Sequence, residues 1–301
     1  MYRQTVKAVL LIFITAFSAN LMAQSNTLLA QPASSLAAPT LAAPSLATLS
    51  LATPSLVIII DDLGNNLASG RRAVNLPGAI TYAILPHTPQ AIELATYANH
   101  VDVNKEVIIH MPMEAVGHRH MEGDIERHMG PGGLNMHQDH QDFIHTLQAA
   151  IQALPQAKGL SNHMGSQLTS QPDRMHWLMS ELSKTPFYFI DSKTTDNSAA
   201  MHAADEQNIP FLVRDIFLDH DPDPISIDKA FKKALALAIK SGSAVLIAHP
   251  YPSTLDYLEH ALPRLNEAGV VLVNASQAIA QKNREAPLLV SKVIINNQNS
   301  L

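Results

Sequence analysis

The chain has 301 residues, a formal net charge of −6, 5% aromatic residues and no cysteine. The acidic balance argues against nucleic acid as a partner, because phosphate binding needs concentrated lysine and arginine. The few aromatic residues count against a long carbohydrate-stacking groove, and the lack of cysteine suits an oxidising compartment.

The first 23 residues have the pattern of a secretory signal peptide. Arg3 and Lys7 give a positive start, and Ala8–Phe17 is an apolar run that is too short to span a bilayer. Ala23 fits the last position before cleavage. We therefore expect a periplasmic or secreted protein without a membrane span in its mature chain. A retained N-terminal anchor is the alternative.

Residues 24–55 differ in composition from the rest. They repeat the themes LAAPT, LAAPS, LATLS and LATPS without a charged or aromatic residue. Their apolar residues repeat with neither the 3.6-residue period of a helix nor the two-residue period of a strand. This composition indicates a low-complexity, flexible tether. The alternative, a short helix that docks on a partner, is disfavoured by the regular prolines. At the other end, residues 281–301 are predicted to form a loosely ordered tail, in which Leu288–Ile295 could add a strand.

Residues 56–280 are predicted to fold as one α/β domain, because apolar runs alternate with helical patterns. The predicted strands are Leu56–Ile60, Ile80–Leu85, Glu106–His110, Gly159–Asn162, Phe187–Ile190, Phe211–Val213, Ala244–Ala248 and Val270–Val273. The predicted helices are Leu67–Val74, Pro89–His100, Gln138–Leu154, Pro172–Ser183, Ser198–Gln207, Ile227–Lys240 and Thr254–Glu267. Seven or eight such units favour a distorted (β/α) barrel of parallel strands. An open doubly wound sheet is the alternative, but its glycine-rich first turn is absent.

Five of the apolar runs end in acid/base or metal-ligand residue types. These residues are Asp61 and Asp62, His110, His163, Asp191 and His249. Because parallel strands place their C-terminal ends on one face, the side chains are predicted to meet in one pocket. Aspartate and histidine sets of this kind bind a divalent metal and activate water.

Asp61 and Asp62 are predicted to divide two roles. Adjacent strand residues point to opposite sides, so one carboxylate can ligate a metal while the other accepts a proton from water. In the alternative, Asp62 or Asn65 caps the helix Leu67–Val74.

His110 follows two β-branched residues, so it is either a core histidine or a ligand that Glu114 could orient. His163 lies among small and polar residues, with Gly165 allowing close approach and Ser166 offering a hydroxyl, which favours a ligand. The long connection Met111–His137 lacks periodicity and is predicted to be a lid over the pocket.

Later strand ends supply further candidates. Asp191 is either a site residue or the N-cap of the next helix. Arg214 can fix a carboxylate, that of Asp61 or Asp191, or hold substrate, and Asp215 follows it directly. His249 stands in a turn stiffened by prolines, a plausible seat for a general acid. The alternative is a histidine packed beneath that loop.

Five segments together resemble the divergent polysaccharide deacetylase family. They are Ile58–Gly64, His110–Glu114, Asn162–Ser166, Phe189–Ser192 and Ala248–Pro250. The resemblance implies a barrel of the NodB-like deacetylase type. In the wider superfamily an Asp-Asp pair supplies the base and a metal ligand, and two histidines in H-[ST]-x-x-H complete the metal triad. The segment Asn162–Ser166 has only one histidine, and we assign the missing place to His110.

The resemblance implies a metal-dependent hydrolase that removes acetyl groups from an envelope carbohydrate, an acetylated or peptidoglycan-like glycan. Asp62, His110 and His163 would bind a divalent metal, Zn²⁺, with Asp61 as base and His249 as acid. The supporting or substrate-binding residues would be Glu114, Ser166, Asp191, Arg214 and Asp215. The alternative is a non-catalytic periplasmic barrel that keeps the metal site and binds a glycan or protein.

Overall fold

A computed structural model describes residues 53–117 and 129–284 of the chain. The predictions for residues 1–23, for most of the tether and for the possible strand Leu288–Ile295 lie outside the described residues. Helical backbone over residues 275–284 runs past the predicted domain end at residue 280.

The described strands form one parallel sheet. They are β1 (Ser55–Leu63), β2 (Thr81–Ile84), β3 (Glu106–Met113), β4 (Gly159–Met164), β5 (Tyr188–Asp191), β6 (Phe211–Val213), β7 (Ile216–Phe217), β8 (Ser243–Ala248) and β9 (Val271–Val273). Their order is β6-β5-β4-β3-β2-β1-β8-β7, and β9 pairs with the start of β1. The predicted strands are all present, and β7 was not predicted.

Helices follow most of the strands. They are α1 (Leu67–Val74), α2 (Ala91–Val101), α3 (His140–Ala153), α4 (Pro172–Leu182), α5 (Ala200–Glu206), α6 (Pro224–Ser241), α7 (Pro252–Ala261) and a 3₁₀ helix (Leu262–Ala268). Every predicted helix but the last is found within a few residues of its expected ends. The last, Thr254–Glu267, is divided into α7 and the 3₁₀ helix. Among the helices in the described ranges, none combines the length and the apolar character needed to cross a bilayer.

The sheet curls into a distorted barrel, as predicted, and the barrel is open between β6 and β7. The chain crosses this gap at Arg214 and Asp215, which we call the seam. The amide of Arg214 donates to the carbonyl of Asp191, and that of Asp215 donates to the carbonyl of Val245. The seam thus contacts β5 and β8 through one backbone hydrogen bond each. Among the described residues, β6 and β7 are not paired with each other.

The apolar runs bury both faces of the sheet, which explains why they are continuous. Along β1, Ile58 and Ile60 pack towards the helices, whereas Val57 and Ile59 fill the barrel interior with Ile108 and its neighbours. With both faces covered by apolar residues, the polar side chains Asp61, His110 and Asp191 lie at the C-terminal strand ends.

Candidate active site

A β-bulge shapes the end of β1. Three steps along β1, from Ile60 to Leu63, oppose two steps along β2. The extra residue allows Asp62 to take a φ of 61°, in the left-handed region that aspartate tolerates better than most residues. As a result Asp61 is buried, while the Asp62 side chain keeps 33% of its exposure.

Asp62, His110 and His163 come together at one point. Asp62 Oδ1 lies 2.8 Å from His163 Nδ1 and 3.2 Å from His110 Nε2. The two ring nitrogens are 3.2 Å apart. These residues also make up the cluster of potential metal ligands found among the described residues. The predicted ligand set therefore converges, although its members come from three different strands.

The geometry and chemistry of this cluster suit a divalent metal. Asp62 Oδ1 is buried and has no hydrogen-bond partner among the described residues, despite two imidazole nitrogens close by. The three atoms are 2.8–3.2 Å apart, close to the separation of about 3.3 Å between two ligands of a tetrahedral zinc site. Mixed imidazole and carboxylate donors are those that Zn²⁺ accepts.

His110 is oriented by Ser161, which the sequence analysis did not single out. Ser161 lies opposite His110 in the register of β3 and β4, and its hydroxyl is 2.8 Å from His110 Nδ1. This contact directs Nε2 towards the cluster. The expectation that Glu114 orients His110 is wrong, because Glu114 Oε2 accepts a hydrogen bond from the Met136 amide instead.

Burial shifts the pKa values of the cluster. Burial lowers the pKa of His110 to about 4, although Asp62 works against it, so the imidazole is neutral near pH 7 and free to bind a metal. Burial would raise the pKa of Asp62, but the two imidazoles outweigh it and hold that pKa well below the ordinary value. Asp62 is therefore ionised near neutral pH and faces His110 and His163.

Asp61 is a different kind of carboxylate. Burial raises its pKa well above the ordinary value, and the positive charge of His249 only partly opposes this. Its Oδ1 has no hydrogen-bond partner among the described residues, and its Oδ2 is 3.6 Å from His110 Nε2. Asp61 therefore holds a proton more readily than Asp62, although the two carboxylates are adjacent in sequence.

His249 faces the cluster from β8 and is held by Asp219. His249 Nδ1 is 2.9 Å from Asp219 Oδ1, while Nε2 is 3.9 Å from Asp62 Oδ2. Burial would lower the pKa of His249, but the hydrogen bond and charge of Asp219, with Asp61 and Asp62, raise it to about 9. His249 thus carries a proton on Nε2 near neutral pH. Asp219 follows a strand of only two residues, and its contact with His249 was not predicted from the sequence.

His249 lies within a stack of planar groups. Its ring stacks on Phe217, with ring centroids 6.1 Å apart, and on Tyr251, with ring centroids 5.4 Å apart. The guanidinium of Arg214 lies 3.8 Å over Phe217. These ring contacts restrict the orientation of the imidazole. His249 is therefore packed against its own loop, as the alternative predicted, and its Nε2 still faces Asp62.

Arg214 does not pair with the carboxylate of Asp61 or Asp191. Its Nε donates to the carbonyl of Ser192 at 2.6 Å, and Nη2 donates to that of Lys193 at 2.7 Å. The guanidinium is committed to backbone and to Phe217, which corrects the expectation that it fixes a carboxylate.

The side chains of the remaining predicted site residues accept hydrogen bonds from backbone amides. Asp191 Oδ1 accepts from the Lys193 amide, and the next helix begins only at Ala200, so Asp191 is not its N-cap. Asp215 Oδ2 accepts from the Val245 amide, and Ser166 Oγ accepts from the Val116 amide. The structure thus shows no contact of Asp191, Asp215 or Ser166 with the cluster among its described hydrogen bonds and ion pairs.

The alternative that Asp62 or Asn65 caps helix α1 is wrong. Asn66 Oδ1 accepts from the Ser69 amide and caps α1, so neither Asp62 nor Asn65 does so. The side chains of Asp61 and Asp62 instead lie beside His110.

A cleft of about 300 Å³ opens beside the cluster. Asp62 and His163 form part of its wall, with His87 after β2 and residues 129–131 from the end of the predicted lid. The lid segment 118–128 lies outside the described residues. Two of the three residues of the cluster, Asp62 and His163, are therefore reached from this cleft.

Sequence comparisons place this chain in a family and identify two relatives. The profile of the family described as divergent polysaccharide deacetylase matches residues 58–279. The chain is 34% identical over 224 residues to the uncharacterized protein YibQ of Escherichia coli, which is 74% of this chain and 67% of that protein. It is 34% identical over 212 residues to an uncharacterized protein of Haemophilus influenzae, which is 70% of this chain and 72% of that protein.

One solved structure has the same architecture. The uncharacterized protein ATU2773 of Agrobacterium tumefaciens aligns with a TM-score of 0.69 at 17% identity, covering 75% of this chain and 89% of that one. At this identity the likeness concerns the fold.

Proposed function

The chain belongs to the divergent polysaccharide deacetylase family, and we propose that it is a metal-dependent hydrolase that removes acetyl groups from an envelope carbohydrate. The observation that carries this proposal is the convergence of Asp62, His110 and His163 beside a buried carboxylate and a charged imidazole. Family membership supports an acetylated glycan as the substrate class.

Asp62, His110 and His163 would hold the ion, and Zn²⁺ suits their oxygen and nitrogen donors. When bound, the ion polarises an acyl oxygen and makes water easier to deprotonate. Ser161 keeps His110 Nε2 directed at the ion through the contact at Nδ1.

Asp61 would act as general base. Its raised pKa brings proton acceptance closer to neutral pH, and its Oδ1, which has no partner within residues 53–117 and 129–284, can take a proton from the attacking water. As the water oxygen bonds to the acyl carbon, the proton moves to Asp61.

His249 would act as general acid. Asp219 holds Nδ1, so the transferable proton is on Nε2, the ring atom that faces Asp62. When the bond between the acyl carbon and the leaving nitrogen or oxygen breaks, this proton passes to the leaving atom. The acid and the base thus work from β8 and β1, which are neighbours in the sheet.

Metal content and acetate release test the proposal together. We expect one metal ion per wild-type chain and acetate release from acetylated glycans, and the loss of both in His163→Ala. His176→Ala is the matched control, because His176 is an exposed histidine on α4 away from the cluster. Equal metal content in wild type and His163→Ala would show that His163 is not a metal ligand.

The same assay addresses the alternative of a non-catalytic barrel. Metal-loaded protein that binds glycan fragments but releases no acetate from a panel of them would support the alternative over the hydrolase.

We also propose that the protein is exported to the periplasm or secreted. The signal pattern of residues 1–23 and the tether-like composition of residues 24–55 support this. Cleavage after Ala23 should give a mature chain that begins near Gln24, which N-terminal sequencing of the mature protein would detect. Limited proteolysis that leaves residues 24–55 intact would contradict the tether.

A further inference from the structure

A second cavity lies at the barrel seam. It is a groove of about 390 Å³ between the seam and α6. The charged or titratable residues that line it are Arg214, Asp215, His220, Lys229 and Lys233. Phe217 lines it as well. The groove lies beside the seam, where no ladder pairs β6 with β7 among the described residues.

Positive charge is concentrated in this groove. Three permanent cations line it against one carboxylate, in a chain whose formal net charge is −6. Lys229 and Lys233 are four residues apart on α6 and share one face of that helix. The carboxylate of Asp215 has one oxygen, Oδ2, engaged by the Val245 amide at 2.8 Å.

The groove lysines differ from their neighbour on α6. Lys232 pairs with Asp228 at 2.7 Å. Within residues 53–117 and 129–284, no carboxylate is within ion-pair distance of Lys229 or Lys233. Two exposed ammonium groups on one face, without internal partners, can accept an anion from outside.

The groove adjoins the site through a shared stack. Arg214 and Phe217 line the groove, and Phe217 stacks on His249. His249 Nε2 in turn lies 3.9 Å from Asp62, which lines the cleft on the other side of the site. Phe217 and His249 thus separate the groove from the cluster, and a glycan bound at the cluster that reaches across these two rings would place a substituent in the groove.

We propose that the groove binds an anionic substituent of the glycan, a carboxylate or a phosphate ester, so that the substrate is an acidic glycan. This deepens the proposed function and rests on it for the identity of the glycan. Lys229 and Lys233 neutralise the substituent, and Arg214 adds charge at the end of the groove nearest His249.

Binding of matched ligand pairs tests the proposal. The metal-loaded full chain carrying Asp61→Asn is titrated calorimetrically with an N-acetylated disaccharide that bears one carboxylate and with its methyl ester. A second pair is the phosphorylated disaccharide and the unmodified one. We expect at least one anionic member to bind about fivefold more tightly than its neutral counterpart, the factor that two exposed charge pairs supply.

The double variant Lys229→Ala/Lys233→Ala should abolish this preference. The control Lys232→Ala/Lys240→Ala removes the same charge from the same helix outside the groove and should keep it. Equal binding of both members of each pair, no binding of either anionic member, or an equal loss in the control would overturn the proposal. The pair that discriminates tells carboxylate from phosphate. Acetate release from a neutral acetylated glycan by the wild type tests the hydrolase separately.

Discussion

Asp219 holds His249 by two atoms at once. Its Oδ1 is 2.9 Å from His249 Nδ1, and its Oδ2 accepts the His249 amide at 2.7 Å. The Thr254 hydroxyl donates to the same Oδ2 at 2.8 Å. The carboxylate is thus fully engaged and fixed in place, which explains how it keeps the partly buried imidazole charged.

This relationship predicts a pH dependence. The proposed acid works only when protonated, and the pKa of His249 is raised to about 9, so activity should fall as pH rises through that value. In Asp219→Asn the charged partner is lost and the pKa should fall towards the ordinary value of about 6.5. The alkaline limb of the kcat profile should then move to lower pH, with a far larger loss at pH 8 than at pH 6.

Asp221→Asn is the control for this experiment, because Asp221 is exposed and contacts Ser226 instead of His249. It should leave the alkaline limb unchanged. An Asp219→Asn profile with the wild-type alkaline limb would show that His249 is not the titrating acid.

Ser161→Ala should weaken metal binding without removing a ligand. The hydroxyl fixes the ring of His110 through Nδ1, and loss of such a partner typically costs about 10–100-fold in metal affinity. Competition titration with a chelator measures this. The control is Ser192→Ala, since the buried Ser192 hydroxyl has no hydrogen-bond partner among the described residues. Equal affinity in wild type and Ser161→Ala would remove Ser161 from the site.

Gly165 and Gly242 form a matched pair for the turn after His163. Both have left-handed backbone, with φ of 89° and 85°. A Cβ at Gly165 would lie 3.1 Å from Met113 Cβ, whereas one at Gly242 would meet nothing within 4 Å. Each change to alanine should therefore cost about 1 kcal/mol of unfolding free energy for the backbone. Gly165→Ala should cost more, because of the crowding, and should also weaken metal binding.

Urea unfolding and metal titration of the two variants separate these effects. If Gly165→Ala and Gly242→Ala lose the same stability and both keep wild-type metal affinity, the turn at Gly165 does not position His163.

The strand-end residues could be predicted from sequence because the physics is simple. Continuous apolar runs imply buried parallel strands, and parallel strands carry Asp61, Asp62, His110, His163 and His249 to one face. The helices were predictable for a similar reason, since their apolar periodicity and N-terminal prolines mark them over long stretches.

The contacts that orient these residues depend on tertiary structure. Ser161 meets His110 only through the register of β3 and β4, which the pattern of either strand leaves open. Glu114 appeared suitable as the partner because it is close in sequence, but the chain turns it towards Met136. The bulge that gives Asp62 a positive φ depends on the pairing of β1 with β2. The seam precedes a strand of only two residues, β7, and Asp219 follows it; so short a strand has no sequence pattern of its own.

The two aspartates provide the most direct test of the account. Zinc affinity and acetate release should be measured for Asp61→Asn and Asp62→Asn. Asp61→Asn should bind zinc nearly as well as the wild type but release no acetate, because an amide cannot accept the proton of water. Asp62→Asn should lose zinc affinity, because a charged ligand is gone. Loss of zinc in Asp61→Asn and its retention in Asp62→Asn would reverse the roles, and two variants with wild-type zinc affinity and acetate release would contradict the site.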